Sequence, residues 1–403
     1  MKRVLFVDDE RPVLDGLRSR LHRQASKWEM TFVDSGALAI EKMRERPYDV
    51  IVTDMRMPVM DGAELLQNVS TGWPDTIRIV LSGYADLGQT VRLVPIAHQY
   101  LSKPCQPQQL ENVIDRCVLL HDLLNHPKLR AIVGRIRKLP SLPKVYAALQ
   151  RIVKDENMTL ADVAKLVESD AALAARVLQL VNSAFFRLAR RISNIEQAVS
   201  YLGFAAIRNL ALSVEVFSSW PGSTCAGLDL DKLQTHVHAT AVAANALTVK
   251  TAIADDTMLA GLLHDIGYWI LAQECPDELS KAVDLASSAR ITLDAAETQI
   301  IGASHAEIGA YLLGIWGLPY PVVEAVAHHH HPERVIPTDF DVLAALIVGH
   351  SLTPMDDAST FGDGIPPDSK VDASYLLSVK APFDWEEATR RVAERTRSDE
   401  VTA

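Results

Sequence analysis

The 403-residue chain has little cysteine, only 6% aromatic residues and no excess of basic charge. Its four cysteines, Cys105, Cys117, Cys225 and Cys275, have neither CxxC nor zinc-ribbon spacing. They read as reduced core or surface thiols of a cytoplasmic protein. Against 51 Asp and Glu stand 40 Lys and Arg, and the net charge of -11 argues against a nucleic-acid-binding surface. No stretch approaches the roughly 18 uninterrupted apolar residues of a membrane span. The N-terminus runs straight into Val4-Leu-Phe-Val7, without the pattern of a signal peptide. Strand-like sequence all but vanishes after Leu139. What is there is ordinary globular material, 48% hydrophobic, in a chain long enough for two or three domains.

The first third alternates short apolar runs with amphipathic stretches. The pattern predicts strands over 4–7, 30–33, 50–52, 77–81 and 99–101, and helices over 13–22, 36–46 and 106–124. Further helices are expected to start near 61 and 86. Five β-α repeats mean a parallel sheet covered by helices on both faces. The strands end in chemistry-bearing residues: Asp8 and Asp9, Asp54, Ser82 and Lys103. In a parallel sheet these ends share one edge, where ligands bind. Three carboxylates suit a hard divalent cation such as Mg²⁺. Lys103 adds fixed positive charge, Ser82 can hydrogen-bond a phosphoryl oxygen, and Asp54 is left as the nucleophile.

Asp8-Asp9, Asp54-Met-Arg-Met-Pro58, Ser82, Tyr100 and Lys103-Pro104, in this order, resemble the response-regulator receiver domain over residues 1–122. The resemblance implies a flavodoxin-like, doubly wound sheet and Mg²⁺ held by Asp8, Asp9 and Asp54. It implies phosphorylation of Asp54 by a cognate sensor histidine kinase, with Ser82 and Tyr100 as switch residues. It also implies a cis bond before Pro104.

Residues 123–138 read as a partly broken, basic helical linker, and residues 139–355 as an all-α domain in two parts, 139–220 and 228–355. Helices are expected over 144–154, 171–181, 195–201 and 205–217. Thr159-Leu-Ala-Asp162 and Ser193-Asn-Ile-Glu196 have the form of capping boxes. Helix-turn-helix punctuation raises a DNA-binding reading, but 193–212 offers only Arg208 and Asn209 to a recognition helix. Residues 356–403 are expected to form a loop, a short helix over 385–396 and a disordered end.

Histidines gather in the second part. His236 and His238 share a helix over 231–247, His264-Asp265 ends an apolar helix, His305 opens another, His328 to His331 follow a third, and His350 lies on a fourth. Adjacent His and Asp suit Zn, Mn or Fe, and can serve a bimetal centre. Leu139-Pro-Ser-Leu-Pro143, Asn182-Ser183-Ala-Phe-Phe186, 261–267 and Trp316-Gly-Leu-Pro319 resemble the HDOD output domain of the HD superfamily. The resemblance puts His238 as first ligand, His264 and Asp265 as the namesake pair, and His305, His329 and His330 as the further ligands of the related HD-GYP phosphodiesterases. His350 falls where the final Asp is expected, Tyr268 stands where a Lys usually follows, and no GYP loop follows His330. HDOD domains as a family are regarded as signalling modules.

The expectation is a cytoplasmic response regulator of a two-component system. Its phosphorylated receiver, which could form a homodimer, directs an HDOD domain toward an unidentified protein target, with neither nucleic acid nor membrane as partner. The alternative is a phosphorylation-activated, metal-dependent phosphohydrolase, such as a cyclic-dinucleotide phosphodiesterase.

Overall fold

Five parallel strands form the N-terminal sheet of this computed structural model, in the order β2-β1-β3-β4-β5. The structure describes residues 1–82, 96–103, 105, 107–123, 133, 159–182, 191–203, 224–225, 228–335, 339–353, 371 and 373–402. The strands are β1 (Lys2–Val7), β2 (Trp28–Val33), β3 (Val50–Asp54), β4 (Ile77–Ser82) and β5 (Gln99–Ser102). Helices α1 (Arg11–Leu21), α2 (Gly36–Glu45), α3 (Gly62–Gly72) and α4 (Pro107–Leu123) alternate with them. The side chains of one strand serve two cores. Val4 and Phe6 pack with Leu14, Leu21 and Ile114, while Leu5 and Val7 pack with Ala39, Met43 and Leu65. That double burial explains why the strands read as unbroken apolar runs. At the loop after β3, Gly62 donates its backbone N–H to Met55. A Cβ there would lie 2.1 Å from the Asp54 carbonyl oxygen, so only glycine lets α3 start so close to the strand end.

The second part is helical: α5 (Leu160–Glu168), α6 (Ala171–Val181), α7 (195–203), α8 (Leu230–Thr248), α9 (Ala254–Leu263), α10 (Ile266–Glu274), α11 (Pro276–Ala289), α12 (Leu293–Ile300), α13 (His305–Ile315), α14 (Tyr320–His328), α15 (Val342–Leu352), α16 (Ala373–Ser378) and α17 (Trp385–Thr402). Starts are written in side chains. Thr159 with Asp162 and Ser304 with Glu307 form capping boxes, and Asp170 and Asp341 accept from backbone N–H groups three residues on. One large core spans α5 to α15, with Trp269, Trp316 and Leu346 inside it.

Three expectations change. Asn194, one residue after the expected Ser193, caps α7 by accepting from Gln197 N–H. A two-stranded antiparallel ribbon, β6 (Thr224–Cys225) with β7 (Leu228–Asp229), interrupts the helical region. The last helix runs to Thr402 rather than fraying after 396, laced by Glu387–Arg391 and Arg390–Glu394 pairs one turn apart. The expected helices near 86 and over 144–154 and 205–217, most of the linker and Pro104 lie outside the described residues. Cys117 and Cys275 are buried cysteines and Cys105 is half-buried. Among the described residues no helix is long and apolar enough to cross a membrane.

The two parts meet at the start of β5 and along α4, which packs against α13. Gln99 Nε2 donates to the Ile315 carbonyl, and Gln179 Nε2 donates to the Ala97 carbonyl at 3.3 Å. Buried Arg176 stacks its guanidinium 4.3 Å above the Trp316 ring. His98 is also buried here, and Arg78 N–H donates to its Nδ1 at 3.2 Å. Burial, then the Arg78 and Arg176 charges, hold its pKa well below the usual 6.5. The folded form therefore takes fewer protons than the unfolded chain just below that value. The contribution is present above it and is lost as pH falls through it. The urea midpoint should drop between about pH 7.5 and about pH 5.5, and His98→Gln should shrink that drop.

Candidate functional site: an acid edge and a histidine centre

At the C-terminal edge of the sheet, β1 delivers Asp8, β3 delivers Asp54, and Lys103 follows β5. Lys103 Nζ lies 2.6 Å from Asp8 Oδ2 and also contacts Asp54 Oδ1. The second oxygens are held by the backbone: Asp8 Oδ1 accepts from Glu10 N–H at 3.0 Å and Asp54 Oδ2 from Arg56 N–H at 2.8 Å. Burial works against charge on Lys103, but Asp54 and Asp8 outweigh it and hold its pKa above the usual value. Asp9 stays exposed at the rim. Ser82 ends β4 and Tyr100 lies in β5, opposite Val80; their side chains fall outside the described residues.

The second centre converges from α8, the α9–α10 turn, α13, the end of α14 and α15. His236, His264 and His350 form one group, and Asp265, His305, His329 and His330 another, each with its nitrogen or oxygen ligand atoms within 4.8 Å of one another. Asp265 stands between them. Its Oδ2 faces His264 Nε2 at 3.2 Å and His236 Nε2 at 3.7 Å. Its Oδ1 faces His305 Nε2 at 3.4 Å and His329 Nε2 at 3.7 Å. His236 and His350 approach each other at 3.1 Å, and His305 and His330 at 2.8 Å, all through Nε2.

The neighbours set the tautomers. His264 Nδ1 sits 2.8 Å from the Gly261 carbonyl, His329 Nδ1 2.8 Å from the Val326 carbonyl, and His305 Nδ1 2.8 Å from Glu297 Oε2. Each Nδ1 is thereby a donor, which in His264 and His329 turns the Nε2 lone pair toward Asp265, whereas His305, when charged, faces it with an N–H. His264 Nε2 and His329 Nε2 have no hydrogen-bond partner. Lone pairs and a carboxylate packed against one another in a buried site repel unless cations lie between them. Burial opposes charge on His305, yet Glu297 and Asp265 hold its pKa well above 6.5. Burial also opposes charge on Asp265, and the surrounding imidazoles hold its pKa well below the usual carboxylate range wherever they face it with an N–H or a positive charge. Burial and the neighbouring His330 push His329 down to about 3. The donor set, six imidazoles and one two-faced carboxylate, fits a pair of borderline transition ions and is poor for Mg²⁺.

One residue of the centre differs from the expected set. His236, not His238, reaches the centre. Consecutive helical residues turn by about 100°, so residues two apart face nearly opposite ways. His236 falls three after Leu233 and four before Thr240 on the buried face, whereas His238 is half-buried on the other side. That i, i+3, i+4 spacing was the available signal. Glu297, fully buried on α12, was not expected at all. It accepts from both the backbone N–H and Nδ1 of His305, while Tyr268 stacks on the same imidazole at 3.9 Å. Gly267 permits this approach, since a Cβ there would lie 2.0 Å from the His305 carbonyl oxygen.

A lysine-bridged acid edge on a five-stranded parallel sheet, joined to a helical histidine centre, defines a receiver-type domain with an HD-like helical partner. Residues 4–115 match the response regulator receiver domain and residues 139–332 the HDOD domain. The chain belongs to the response regulators, with an N-terminal receiver and a C-terminal HDOD domain. It is 30% identical over 120 residues to the response regulator receiver protein CpdR of Brucella abortus, which covers 30% of this chain and 98% of CpdR. It is 29% identical over 251 residues to an uncharacterized protein of Treponema pallidum, covering 61% of this chain and 47% of that protein. The chain thus spans about half or less of the length of the first curated relatives it matches. The MmoQ response regulator of Methylococcus capsulatus shares the fold, with 22% identity, a TM-score of 0.50, and coverage of 63% of this chain and 98% of that one. Receiver domains generally bind Mg²⁺, and HD-type domains bind metals.

Glu297→Gln keeps the shape of the α12 side chain but weakens its grip on His305 Nδ1. Transition-metal affinity of the full chain should fall by about 10- to 100-fold, read by competition with a chromophoric chelator. His238→Ala should leave that affinity unchanged.

Proposed function

We propose that the chain is a phosphorylation-controlled regulator that accepts a phosphoryl group on Asp54 and gives its output through protein–protein contacts of a metal-loaded HDOD domain. The observation that carries the phosphoryl-transfer half is Lys103, held between the Asp8 and Asp54 carboxylates at the sheet edge. Asp54 Oδ1 forms the new bond to phosphorus. The bond from phosphorus to the kinase's histidine breaks, and that imidazole keeps the electron pair. Lys103 offsets charge on the entering oxygens, and Ser82 and Tyr100 respond as switch residues. Asp8, Asp9 and Asp54 are suited to hold Mg²⁺, which supplies further charge neutralisation when bound.

The output reading is supported by burial and by two substitutions. Six of the seven groups of the histidine centre are at most 9% exposed, with His350 half-buried, which leaves little room for a large dinucleotide. Tyr268 is stacked on His305 where hydrolases of the HD type offer a lysine, and His350 stands for their final carboxylate. The second reading, a metal-dependent phosphohydrolase, is favoured by one observation: Asp265 turns one oxygen to each histidine group.

With acetyl phosphate and Mg²⁺, the wild-type chain should gain one phosphoryl group by intact mass and Asp54→Asn none. Equal phosphorylation of the variant would overturn the assignment of Asp54. Turnover of bis(p-nitrophenyl) phosphate by the Mn²⁺-loaded protein, lost in Asp265→Asn, would favour the hydrolase.

A further inference from the structure

Helix α13 joins two features that lie far apart in the sequence. Its first residue, His305, belongs to the histidine centre, and Glu297 and the Ser304–Glu307 capping box pin that end. Its last residue, Ile315, accepts from the receiver's Gln99 through its carbonyl. The capping Trp316 lies under Arg176, whose Nη1 donates to Gln179 Oε1 at 3.0 Å. Gln179 in turn holds the receiver's Ala97 carbonyl. Helix α13 packs against α4, the last receiver helix, and against α10, which follows Asp265. Ten of its eleven residues are buried. Eleven residues at about 1.5 Å each make a rigid bar of about 16 Å.

The polar contacts at the receiver end are specific and buried. Gln99 and Gln179 are both under 3% exposed. A buried amide that loses its carbonyl partner is left with an unmade hydrogen bond, so the contact favours a docked and an undocked state over a graded slide. Gln99, Ala97 and His98 belong to β5 and its approach, and Lys103 at the acid edge directly follows β5. A change at that edge therefore reaches the start of α13 through one strand and one helix.

We propose that the receiver controls the histidine centre through α13: docking of β5 and α4 on the helix holds His305 in its ligating position, and phosphorylation releases it and weakens the metal. The inference rests on the metal reading of the histidine centre given above. By linkage the effect is reciprocal, so metal loading disfavours the phosphorylated receiver by the same factor. The histidine centre then acts as a second input to the receiver.

The test is a Zn²⁺ titration of the full chain by competition with a chromophoric chelator, in saturating Mg²⁺, with and without beryllofluoride as phosphoryl mimic. In wild type, beryllofluoride should raise the Zn²⁺ dissociation constant by about fivefold or more. Asp54→Asn should show no such response. Gln99→Ala on the receiver side and Gln179→Ala on the helical side should each bind Zn²⁺ but lose most of the response. A wild-type constant unchanged within about twofold overturns the coupling. A full response retained in both glutamine variants overturns the route through α13. Failure of the unphosphorylated chain to bind Zn²⁺ overturns the metal reading itself, and the coupling with it.

Discussion

The buried carboxylate of Asp265 is the constraint around which the helical domain is arranged. Four imidazole nitrogens lie within 3.7 Å of its two oxygens. Three of those rings have their other nitrogen committed to a fixed acceptor. Acceptors cannot satisfy one another, so such a cluster costs several kcal/mol unless protons or metal ions bridge it. Five segments supply the groups, and each is held by its own device: the buried face of α8, the turn between α9 and α10, the capping box of α13, the end of α14, and α15 packed against α8.

The receiver solves a milder form of the same problem. Asp8 and Asp54 come from adjacent parallel strands, so their carboxylates are forced together at one edge. A lysine from the far end of β5 meets both, and backbone N–H groups take the remaining oxygens. The chain thus carries two metal-suited sites of opposite chemistry. One is an oxygen site for a hard, hydrated ion, and the other is an imidazole site for a softer one. The α13 contact places them within one packed assembly.

Much of this was legible in the residues themselves. Short apolar runs leading to Asp8, Asp54 and Lys103 foretold both the parallel sheet and the edge at which these side chains meet. Thr159-Leu-Ala-Asp162 announced a helix start that the structure keeps, and the helix expected over 171–181 is there. The misses have local causes. His236 and His238 share one helix, and only the 3.6-residue period of the buried face separates them. The ribbon at Thr224–Cys225 and Leu228–Asp229 has two residues per strand, too few for any alternation to show. Glu297 reads as an ordinary exposed helical acid, because its partner lies eight residues on, past the end of its own helix. The docking of Gln99 on Ile315 spans 216 residues and has no sequence signal.

The most direct test of the central claim is elemental analysis of the full chain after purification without chelators, beside Asp265→Ala. The account predicts close to two transition-metal ions per wild-type chain, with both lost or sharply reduced in the variant, and no Mg²⁺ in their place. A wild-type protein that holds no transition metal, even after reconstitution with Fe²⁺, Mn²⁺ or Zn²⁺, would contradict it. The histidine cluster would then be held together by protons alone.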